Sequence, residues 1–297
     1  MPAWIELDDR VRVRQSARYA MNSVLLPDRE HTVLVDPGIL PSELDDIAAQ
    51  VALERPESVT LVFTHGHWDH VLGRPWWPDA ETLAHDRLAA QLARDGEHAR
   101  AEAERIAAAA GERWPSPYQP FAPTHAVSGL HFRKLGRWRL VLRDAPGHCA
   151  SQLTVHLPEP RILIAADTLS DIEIPALETA PAIYRHAIEP LVPIAEGGAI
   201  ETLIPGHGSI AHGRDAVLGR ILADLEYLDT IERAARDALR SGEPDEAAVE
   251  QLRSMDYRGK HSAEYPMVEI HAENIRHAYR AIAAMRNARA KPAAPSR

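Results

Sequence analysis

The sequence predicts an α/β fold that carries a helical region at its C-terminal end, and three observations support this prediction. Short runs of β-branched and apolar residues, typical of buried strands, alternate with amphipathic helix patterns over the first two thirds of the chain. Turns that contain histidine and aspartate follow several of the predicted strands, where an α/β protein commonly places its chemistry. Beyond Gly213 only helical patterns occur. The chain has 297 residues, 45% of them hydrophobic, which is enough for one large domain with an appendage.

The composition argues against several classes of partner and location. The net charge is −10, so no broad basic surface for a nucleic acid backbone is expected. The first residues lack a basic segment followed by an apolar run, and no apolar run approaches the roughly 18 residues that span a bilayer. We therefore expect a cytoplasmic protein with a small-molecule substrate and no membrane partner, and the sequence leaves a homodimer open. Cys149 is the only cysteine, so an intrachain disulfide cannot form.

The first part of the chain predicts an antiparallel meander, then a helix and a buried strand. The meander is indicated by three extended runs, which are separated by turn residues such as Pro27-Asp28 and end at Asp36-Pro37-Gly38. Apolar residues recur at helical spacing after Pro41. The predicted elements are strands at 11–14, 22–26 and 32–35, a helix at 41–53 and a strand at 59–63.

The stretch Thr64–His70 follows this last strand and concentrates polar groups that can bind metal. Three imidazoles and a carboxylate within six residues cannot all be ordinary core, because each would need a hydrogen-bond partner in a low-dielectric interior. In an extended segment His65 and His67 point the same way and can share one ion. Asp69 and His70, one step further round a turn, can face a second ion.

Two features after this motif could cover the site. Trp76 and Trp77 lie between prolines, and either wall a substrate pocket or form a rigid apolar cover over a helix start. Residues 86–110 predict a helix pair interrupted at Gly96. Together with the proline-rich segment that follows, this region is read as a helical insertion over about 86–120 that overhangs the site.

The second half of the α/β region predicts a further sheet whose strands end in polar turns. A hairpin is expected through Gly136-Arg137, and its second strand leads to His148. A following strand leads to Asp167, and another leads to His207. The predicted elements are strands at 130–135, 138–142, 153–157, 161–166 and 201–204, and a helix at about 182–194. Polar residues therefore arrive from the ends of four separate strands.

The C-terminal region predicts a long amphipathic helix and two further helices. Apolar residues from Val217 to Ile231 recur at helical spacing, and the helix is expected to end near Gly242. The later helices are predicted at about 245–255 and 264–285. The predicted units are a core at 1–212, a helical subdomain at 213–286 and a disordered tail at 287–297.

The pattern HxHxDH at His65–His70 resembles the signature of the metallo-β-lactamase-fold hydrolases. Three later segments extend this resemblance, Gly147-His148, Ala166–Leu169 and Pro205–Gly208, so it covers the chain from about Val11 to Gly208. The resemblance implies an αββα sandwich. It also implies a first metal held by His65, His67 and His148, a second held by Asp69, His70 and His207, and a bridge between them formed by Asp167.

The resemblance further implies a hydrolase with two Zn²⁺ ions, for which iron or manganese is a chemical alternative. A bridging hydroxide would attack the carbonyl of a small ester, lactone, thioester or lactam, with Asp167 bridging the ions and Asp69 able to shuttle a proton. The motif is most similar to the glyoxalase II-like and lactonase-like branch. The alternatives are a phosphodiesterase or nuclease of the same fold, a persulfide dioxygenase with one iron, and a non-enzymatic module with a vestigial site.

Other residues are weaker candidates. Asp36 ends a strand and either hydrogen-bonds a ligand histidine or serves the turn. Cys149 adjoins His148 and is expected to pack beside the site, because Asp167 fills the position of the thiolate ligand in related lactamases. Whether four further side chains reach the pocket stays open from the sequence: Tyr184, His261, Tyr265 and His271.

Overall fold

A computed structural model describes residues 4–7, 10–258, 260–261 and 268–290. Two β-sheets pack face to face, and helices cover the outer face of each sheet. This confirms the predicted α/β fold and the αββα sandwich that the resemblance implied. The predicted meander, the strand before the motif and the second sheet are all present.

The first sheet contains seven strands in the order in which they occur along the chain. The strands are β1 (Trp4–Glu6), β2 (Arg12–Gln15), β3 (Asn22–Leu26), β4 (His31–Val35), β5 (Ser58–Phe63), β6 (Glu81–His85) and β7 (His125–Val127). Pairing is antiparallel from β1 to β4 and parallel from β4 to β7. The carboxyl ends of the parallel strands therefore lie along one edge of the sheet.

The second sheet contains six strands in the order β13-β12-β11-β10-β9-β8. These are β8 (Leu130–Leu135), β9 (Trp138–Asp144), β10 (Leu153–Leu157), β11 (Ile162–Ile164), β12 (Thr202–Ile204) and β13 (Ala211–His212). Only β11 and β12 pair in parallel. A small separate hairpin pairs β14 (Asp256–Tyr257) with β15 (Lys260–His261).

Alternating side chains along the strands divide the interior into layers. Val62 of β5 faces the second sheet, whereas its neighbours Leu61 and Phe63 face the helices on the outside. In the second sheet, Ile164 belongs to the core between the sheets and Leu163 to the helical layer. This two-residue period is the expected pattern for strands buried on both faces.

The helices form the two outer layers and the region beyond the second sheet. They are α1 (Pro41–Glu54), α2 (Trp68–Val71), α3 (Leu88–Ala109), α4 (Pro181–Ile188), α5 (Leu191–Glu196), α6 (Arg214–Ser241), α7 (Asp245–Gln251) and α8 (Val268–Ala290), with a 3₁₀ turn at Arg74–Trp76. The long helix predicted after Gly213 is confirmed as α6, and it ends at Gly242 in the left-handed conformation. None of the described helices has an apolar run long enough to cross a bilayer.

Two helix predictions are corrected. Residues 88–109 form one continuous helix, so Gly96 does not interrupt it. A Cβ at Gly96 would lie 2.7 Å from Pro120 Cγ, so the glycine allows the proline-rich segment to pack closely on the helix. The helix predicted at 182–194 is two helices, α4 and α5. Pro190 lies at the N-terminal boundary of α5, where its fixed φ angle is tolerated but an uninterrupted helix is not.

The C-terminal helices share one hydrophobic cluster with the second sheet. Ile221 and Leu228 of α6 pack in the same cluster as Leu203 of β12 and Ile188 of α4. The helix α8 runs to Ala290, past the predicted start of the tail at 287, and residues 291–297 lie outside the described part. The division of the chain into a core and a C-terminal subdomain stays a prediction.

Candidate metal centre

Four strand ends deliver the polar residues of the site. The turn after β5 and the short helix α2 carry His65 to His70, and the turn after β9 carries His148. Asp167 follows β11, and His207 follows β12. Because β5 belongs to the first sheet and the other strands to the second, the residues meet only when the two sheets pack together.

The seven residues predicted as ligands lie in two compact groups. His65, His67, His148 and Asp167 form one group, in which the candidate ligand atoms all lie within 4.8 Å of one another. Asp69, His70 and His207 form a second group that meets the same criterion. These are called the first and second ligand groups below. The structure brings all seven together, and their roles as ligands stay a prediction.

Asp167 touches both groups. Its Oδ2 atom lies 3.5 Å from Nε2 of His65 and 3.5 Å from Nε2 of His148. Its Oδ1 atom lies 3.1 Å from Nε2 of His70, and Oδ2 lies 3.5 Å from Nε2 of His207. A Cβ at Gly206 would lie 1.9 Å from Asp167 Oδ1, so only glycine leaves space for the carboxylate there.

Each of the five imidazoles has one nitrogen turned away from the centre, in hydrogen-bond contact with an oxygen of the chain. Such contacts fix which nitrogen carries the proton and leave a lone pair on the other nitrogen, as ligand histidines require. The contacts join His65 Nδ1 to Thr64 Oγ1 (3.1 Å), His67 Nε2 to Glu178 Oε1 (3.1 Å), His70 Nδ1 to Asp36 Oδ2 (2.9 Å), His148 Nδ1 to the Ala176 carbonyl (3.1 Å) and His207 Nδ1 to the Tyr19 carbonyl (2.9 Å).

The nitrogens that point inward face one another. His67 Nδ1 lies 2.8 Å from His148 Nε2, and His70 Nε2 lies 3.2 Å from His207 Nε2. With the outward nitrogens protonated, these pairs bring lone pairs into contact, which is unfavourable unless a cation or a proton lies between them. In addition, His65 Nε2 and Asp167 Oδ1 are buried without a hydrogen-bond partner. Nitrogen and carboxylate ligands in this arrangement fit divalent metal ions such as zinc.

Asp36 holds both the motif and a ligand histidine. Its Oδ1 accepts a hydrogen bond from Thr64 N (2.8 Å), and its Oδ2 accepts from Thr64 Oγ1 (2.5 Å) as well as from His70 Nδ1. The Thr64 hydroxyl therefore accepts from His65. Asp36 adopts φ 46°, a left-handed conformation that Asp tolerates better than most residues. The structure thus places Asp36 in contact with a ligand, and sequence reasoning missed Thr64.

The pKa values of the histidines differ between the groups. In the first group, burial together with the charge of His67 lowers the pKa of His148 to about 4. Burial and the neighbouring His70 likewise hold the pKa of His65 well below its usual range. Both imidazoles are therefore neutral at pH 7, the form that binds metal.

The second group has the opposite electrostatics. Burial opposes protonation of His70 and His207, but the carboxylates of Asp167 and Asp69 outweigh it and raise the pKa of both imidazoles well above the usual range. Burial also opposes ionisation of the two carboxyls, yet the surrounding histidines hold the pKa of Asp69 and Asp167 below the usual range. Both carboxylates are therefore charged at neutral pH.

A cavity of about 390 Å³ opens onto both ligand groups. Tyr19, Trp68 and residues from α3 form one side of it, with the Tyr19 and Trp68 rings packed edge to face at 6.0 Å. His98 and Glu102 are the residues of α3 that line it, so the predicted insertion does reach the cavity. A second cavity of about 220 Å³ adjoins the first through His98 and Trp68.

Of the residues that the sequence left as possible cavity residues, only some line the cavity. Tyr184 lines the main cavity, but Trp76 and Trp77 border a different groove, and the indole of Trp76 donates to Asp45 Oδ1 (2.8 Å). The two tryptophans therefore do not line the cavity at the ligand groups. His271 is held within the helical layer by Tyr227 Oη (2.9 Å) and the Leu252 carbonyl. Tyr265 and the side chain of His261 lie outside the described residues.

Cys149 is buried beside the centre and belongs to neither ligand group. Its Sγ lies 3.7 Å from Ser151 Oγ, and burial raises the pKa of the thiol to about 12. The thiolate form needed for metal binding is therefore disfavoured. This agrees with the expectation that Cys149 packs beside the site.

The helix α6 holds the loop that carries Asp167. Asp224 accepts hydrogen bonds from the Leu169 amide (3.2 Å), the Tyr184 hydroxyl (2.8 Å) and the Tyr257 hydroxyl (2.5 Å). Arg220 donates to the Leu169 carbonyl (3.1 Å). Sequence reasoning missed this contact, although Asp224 falls on the apolar stripe of α6, where a buried carboxylate calls for an explanation.

The fold and the two ligand groups define an αββα protein with a candidate dinuclear metal centre. Residues 18–207 match the family model described as Metallo-beta-lactamase superfamily. The match covers more than half of the chain, and this protein belongs to the metallo-β-lactamase superfamily. The resemblance drawn from the motif is thereby confirmed at the level of the superfamily.

Solved structures support the same fold. The stereoselective inverting sec-alkylsulfatase Pisa1 from Pseudomonas sp. is similar over 99% of this chain and 53% of its own, with a TM-score of 0.69 and 14% identity. This chain thus spans about half the length of that enzyme. A metallo-beta-lactamase from Pontibacter korlensis is similar over 75% of this chain and 98% of its own, with a TM-score of 0.54 and 17% identity. No curated protein matches the sequence.

Proposed function

We propose that this protein is a dinuclear metal hydrolase that cleaves small ester, lactone, thioester or lactam substrates. The observation that carries the proposal is the orientation of the histidines. All five use one nitrogen for a contact with an oxygen of the chain and turn the other toward a common centre, where His65 Nε2 and Asp167 Oδ1 lack a hydrogen-bond partner. A buried polar cluster of this kind is costly unless cations occupy it.

The residues at the centre would have distinct roles in metal binding and proton transfer. His65, His67 and His148 would hold one ion, Asp69, His70 and His207 a second, and Asp167 would contact both. When bound, two divalent ions supply Lewis acidity, which polarises a scissile carbonyl and acidifies a water. Asp69 lines the cavity beside His207 (3.2 Å), a position from which its carboxylate can accept a proton.

The cavity favours a small substrate. Its volume of about 390 Å³ lies at the lower end of the range for pockets that enclose small molecules. Apolar groups such as Leu169, Ile174 and Pro175 share its wall with polar ones. The acidic chain gives no support to a nucleic acid substrate, and a small molecule is therefore the proposed partner. Zinc, the cytoplasmic location and the absence of a membrane partner stay predictions.

Sulfate esters are a second candidate substrate class. The similarity to the alkylsulfatase extends through the C-terminal helices, because it covers 99% of this chain. This similarity concerns the fold alone. Among the described residues that line the two cavities there is neither lysine nor arginine that could neutralise a sulfate, so we favour acyl substrates.

The proposal is tested by metal analysis followed by a substrate panel. We expect close to two ions per chain in protein loaded with zinc, and hydrolysis of at least one activated ester, lactone, thioester or lactam. The panel includes an alkyl sulfate, a phosphodiester and a persulfide, each with zinc-loaded and iron-loaded protein. Oxygen consumption by the iron form alone, without acyl hydrolysis, would show a persulfide dioxygenase instead.

A further inference from the structure

Glu173 carries a carboxyl group that lines the cavity of about 390 Å³ and has no role in the proposed metal chemistry. It lies six residues after Asp167 and lines the cavity beside both ligand groups. Asp69 and His207 of the second group and Asp167 of the first line the same cavity. Glu173 is not part of the second group, whose ligand atoms lie within 4.8 Å of one another.

The loop around Glu173 fixes this position. Ser170 Oγ donates to the His207 carbonyl (2.8 Å) and accepts from the Ile172 amide (3.2 Å). Asp171 accepts from the Ser209 amide (2.8 Å) and forms an ion pair with Arg220 (3.2 Å). The loop is therefore anchored on the turn that carries His207 and on α6, and its conformation holds Glu173 at the cavity.

The neighbouring carboxylates are all engaged, which distinguishes Glu173 from them. Asp171 is paired with Arg220, Glu102 with Arg105 (2.6 Å) and Asp224 with two tyrosine hydroxyls. Over the described part of the chain, the Glu173 carboxyl has no hydrogen bond and no ion pair. The Glu173 side chain is partly buried, and a carboxyl that lines a cavity without a protein partner is available to a ligand.

The rest of the wall suits a positively charged group. The rings of Tyr19 and Trp68 line the same cavity, and aromatic rings attract cations, including quaternary ammonium groups. A cation near a carboxyl also favours its ionised form. Outside the two ligand groups, an anionic group would find carboxylates and ring faces here, with no described Lys or Arg side chain in the lining.

We infer that Glu173 is a substrate-binding residue that pairs with a cationic nitrogen, so that the substrates of this site are acyl compounds bearing an amine or ammonium group. This inference rests on the proposed hydrolase function and narrows its substrate class. An uncharged acyl compound is accepted less well, and one that carries a carboxylate, sulfate or phosphate is disfavoured.

The test uses three p-nitrophenyl esters of equal chain length that end in a trimethylammonium, a tert-butyl or a carboxylate group. The first two have nearly the same shape, so their ratio of kcat/KM isolates the charge. For zinc-loaded protein we expect the ammonium ester to exceed the tert-butyl ester by about 10- to 100-fold, the range expected for one partly buried ion pair. The carboxylate ester should be the poorest substrate.

Variants assign this preference to Glu173. Glu173→Gln should bring the ratio of kcat/KM between the ammonium and tert-butyl esters close to 1, and Glu173→Asp should retain part of the ratio. Glu104→Gln is the matched control, because Glu104 lies on α3, is exposed and does not line either cavity. An equal loss in both glutamine variants, or a wild-type preference for the tert-butyl ester, would overturn the inference.

Binding without turnover separates this inference from the hydrolase proposal. Calorimetry with metal-free protein should detect tetramethylammonium binding that is lost in Glu173→Gln and retained in Glu104→Gln, and tert-butanol should bind more weakly. If this pattern holds while no ester is cleaved, the hydrolase proposal fails and the cation site stands. If esters are cleaved without any charge preference and tetramethylammonium does not bind, the cation site fails and the hydrolase proposal stands.

Discussion

The two ligand groups differ in how deeply they are buried and in what holds them. In the first group, His67 contacts Glu178 through its outward nitrogen, and the side chains of His67 and Glu178 are 28% and 46% exposed. The corresponding contact of the second group joins His70 to Asp36, which are 0% and 4% exposed. A hydrogen bond to a charged group in a buried environment is stronger than one that water screens. The contact of His70 with Asp36 should therefore matter far more for metal binding than the contact of His67 with Glu178.

The largest effect is expected where the two groups meet. Asp167→Asn should weaken metal binding at both groups and lower hydrolysis by orders of magnitude, because Asp167 contacts histidines of each. Metal content and activity are the measurements, with circular dichroism to check the fold. Asp215→Asn, at a 90% exposed side chain, is the control. Retention of two ions in Asp167→Asn would show that the groups are independent of this carboxylate.

Asp36→Asn should weaken metal binding at the second group more than at the first. The substitution leaves an amide where Thr64 and His70 donate to a carboxylate, so we expect about 10- to 100-fold weaker binding of one ion. The affinity of the other ion should fall less, because Asp36 reaches the first group only through the Thr64 hydroxyl that accepts from His65. Competition with a chelator measures both affinities. Equal weakening of the two ions would contradict the proposed difference between the groups.

The pH dependence of metal binding should also separate the groups. His70 and His207 have raised pKa values in the metal-free protein, so they are protonated at pH 7 and an ion must displace about two protons. The pKa values of His65 and His148 are lowered, so binding there releases none from these residues. Lowering the pH should release the ion of the second group first. Calorimetry in buffers of different ionisation enthalpy counts the protons.

The raised pKa values of His70 and His207 also determine how the stability of the fold changes with pH. A histidine with a raised pKa stabilises the metal-free protein below its unfolded pKa of about 6.5, and this contribution is lost as the pH rises through the folded value. Metal-free protein should therefore lose stability on the alkaline side, and the metal-loaded protein should lose it on the acid side. Thermal unfolding across the pH range checks both directions.

The smallest effect is expected at the exposed partner of the first group. Glu178→Gln preserves a hydrogen-bond acceptor for His67 Nε2 and removes a charge that is already screened, so we expect less than about 5-fold change in affinity for one ion. The chelator competition used for Asp36→Asn gives a direct comparison. A loss as large as that of Asp36→Asn would show that burial does not decide the strength of these contacts.

The inward-facing residues were predictable from the sequence, whereas most of their outer partners were not. His65, His67, Asp69 and His70 lie together in one motif, and His148, Asp167 and His207 each follow a predicted strand. These residues come together because the strands that precede them end at the same edge of the sandwich. The outer partners Tyr19 and Ala176 contribute backbone carbonyls, so their residue types carry no signal. Thr64 and Glu178 are polar residues of common type without a distinguishing pattern.

Elements were predicted best where a single periodicity held over many residues. The helix α6 and the strand β5 have strong patterns, and the structure has them at almost the predicted positions. Gly96 was misread because its role depends on Pro120, 24 residues away in the chain, which no local pattern records. Trp76 and Trp77 were assigned to the pocket as one alternative, and only the course of the 3₁₀ turn shows that they border another groove.

The buried thiol of Cys149 makes the centre observable without added labels. As the only cysteine, adjacent to His148 and 0% exposed, it reacts with a thiol reagent only when its surroundings open. The rate of modification in native buffer therefore reports the opening of the turn that carries His148. Because ions that bind the closed form suppress opening, this rate should fall as metal is added, by a factor that measures metal affinity. The chain thus contains its own kinetic probe of metal occupancy.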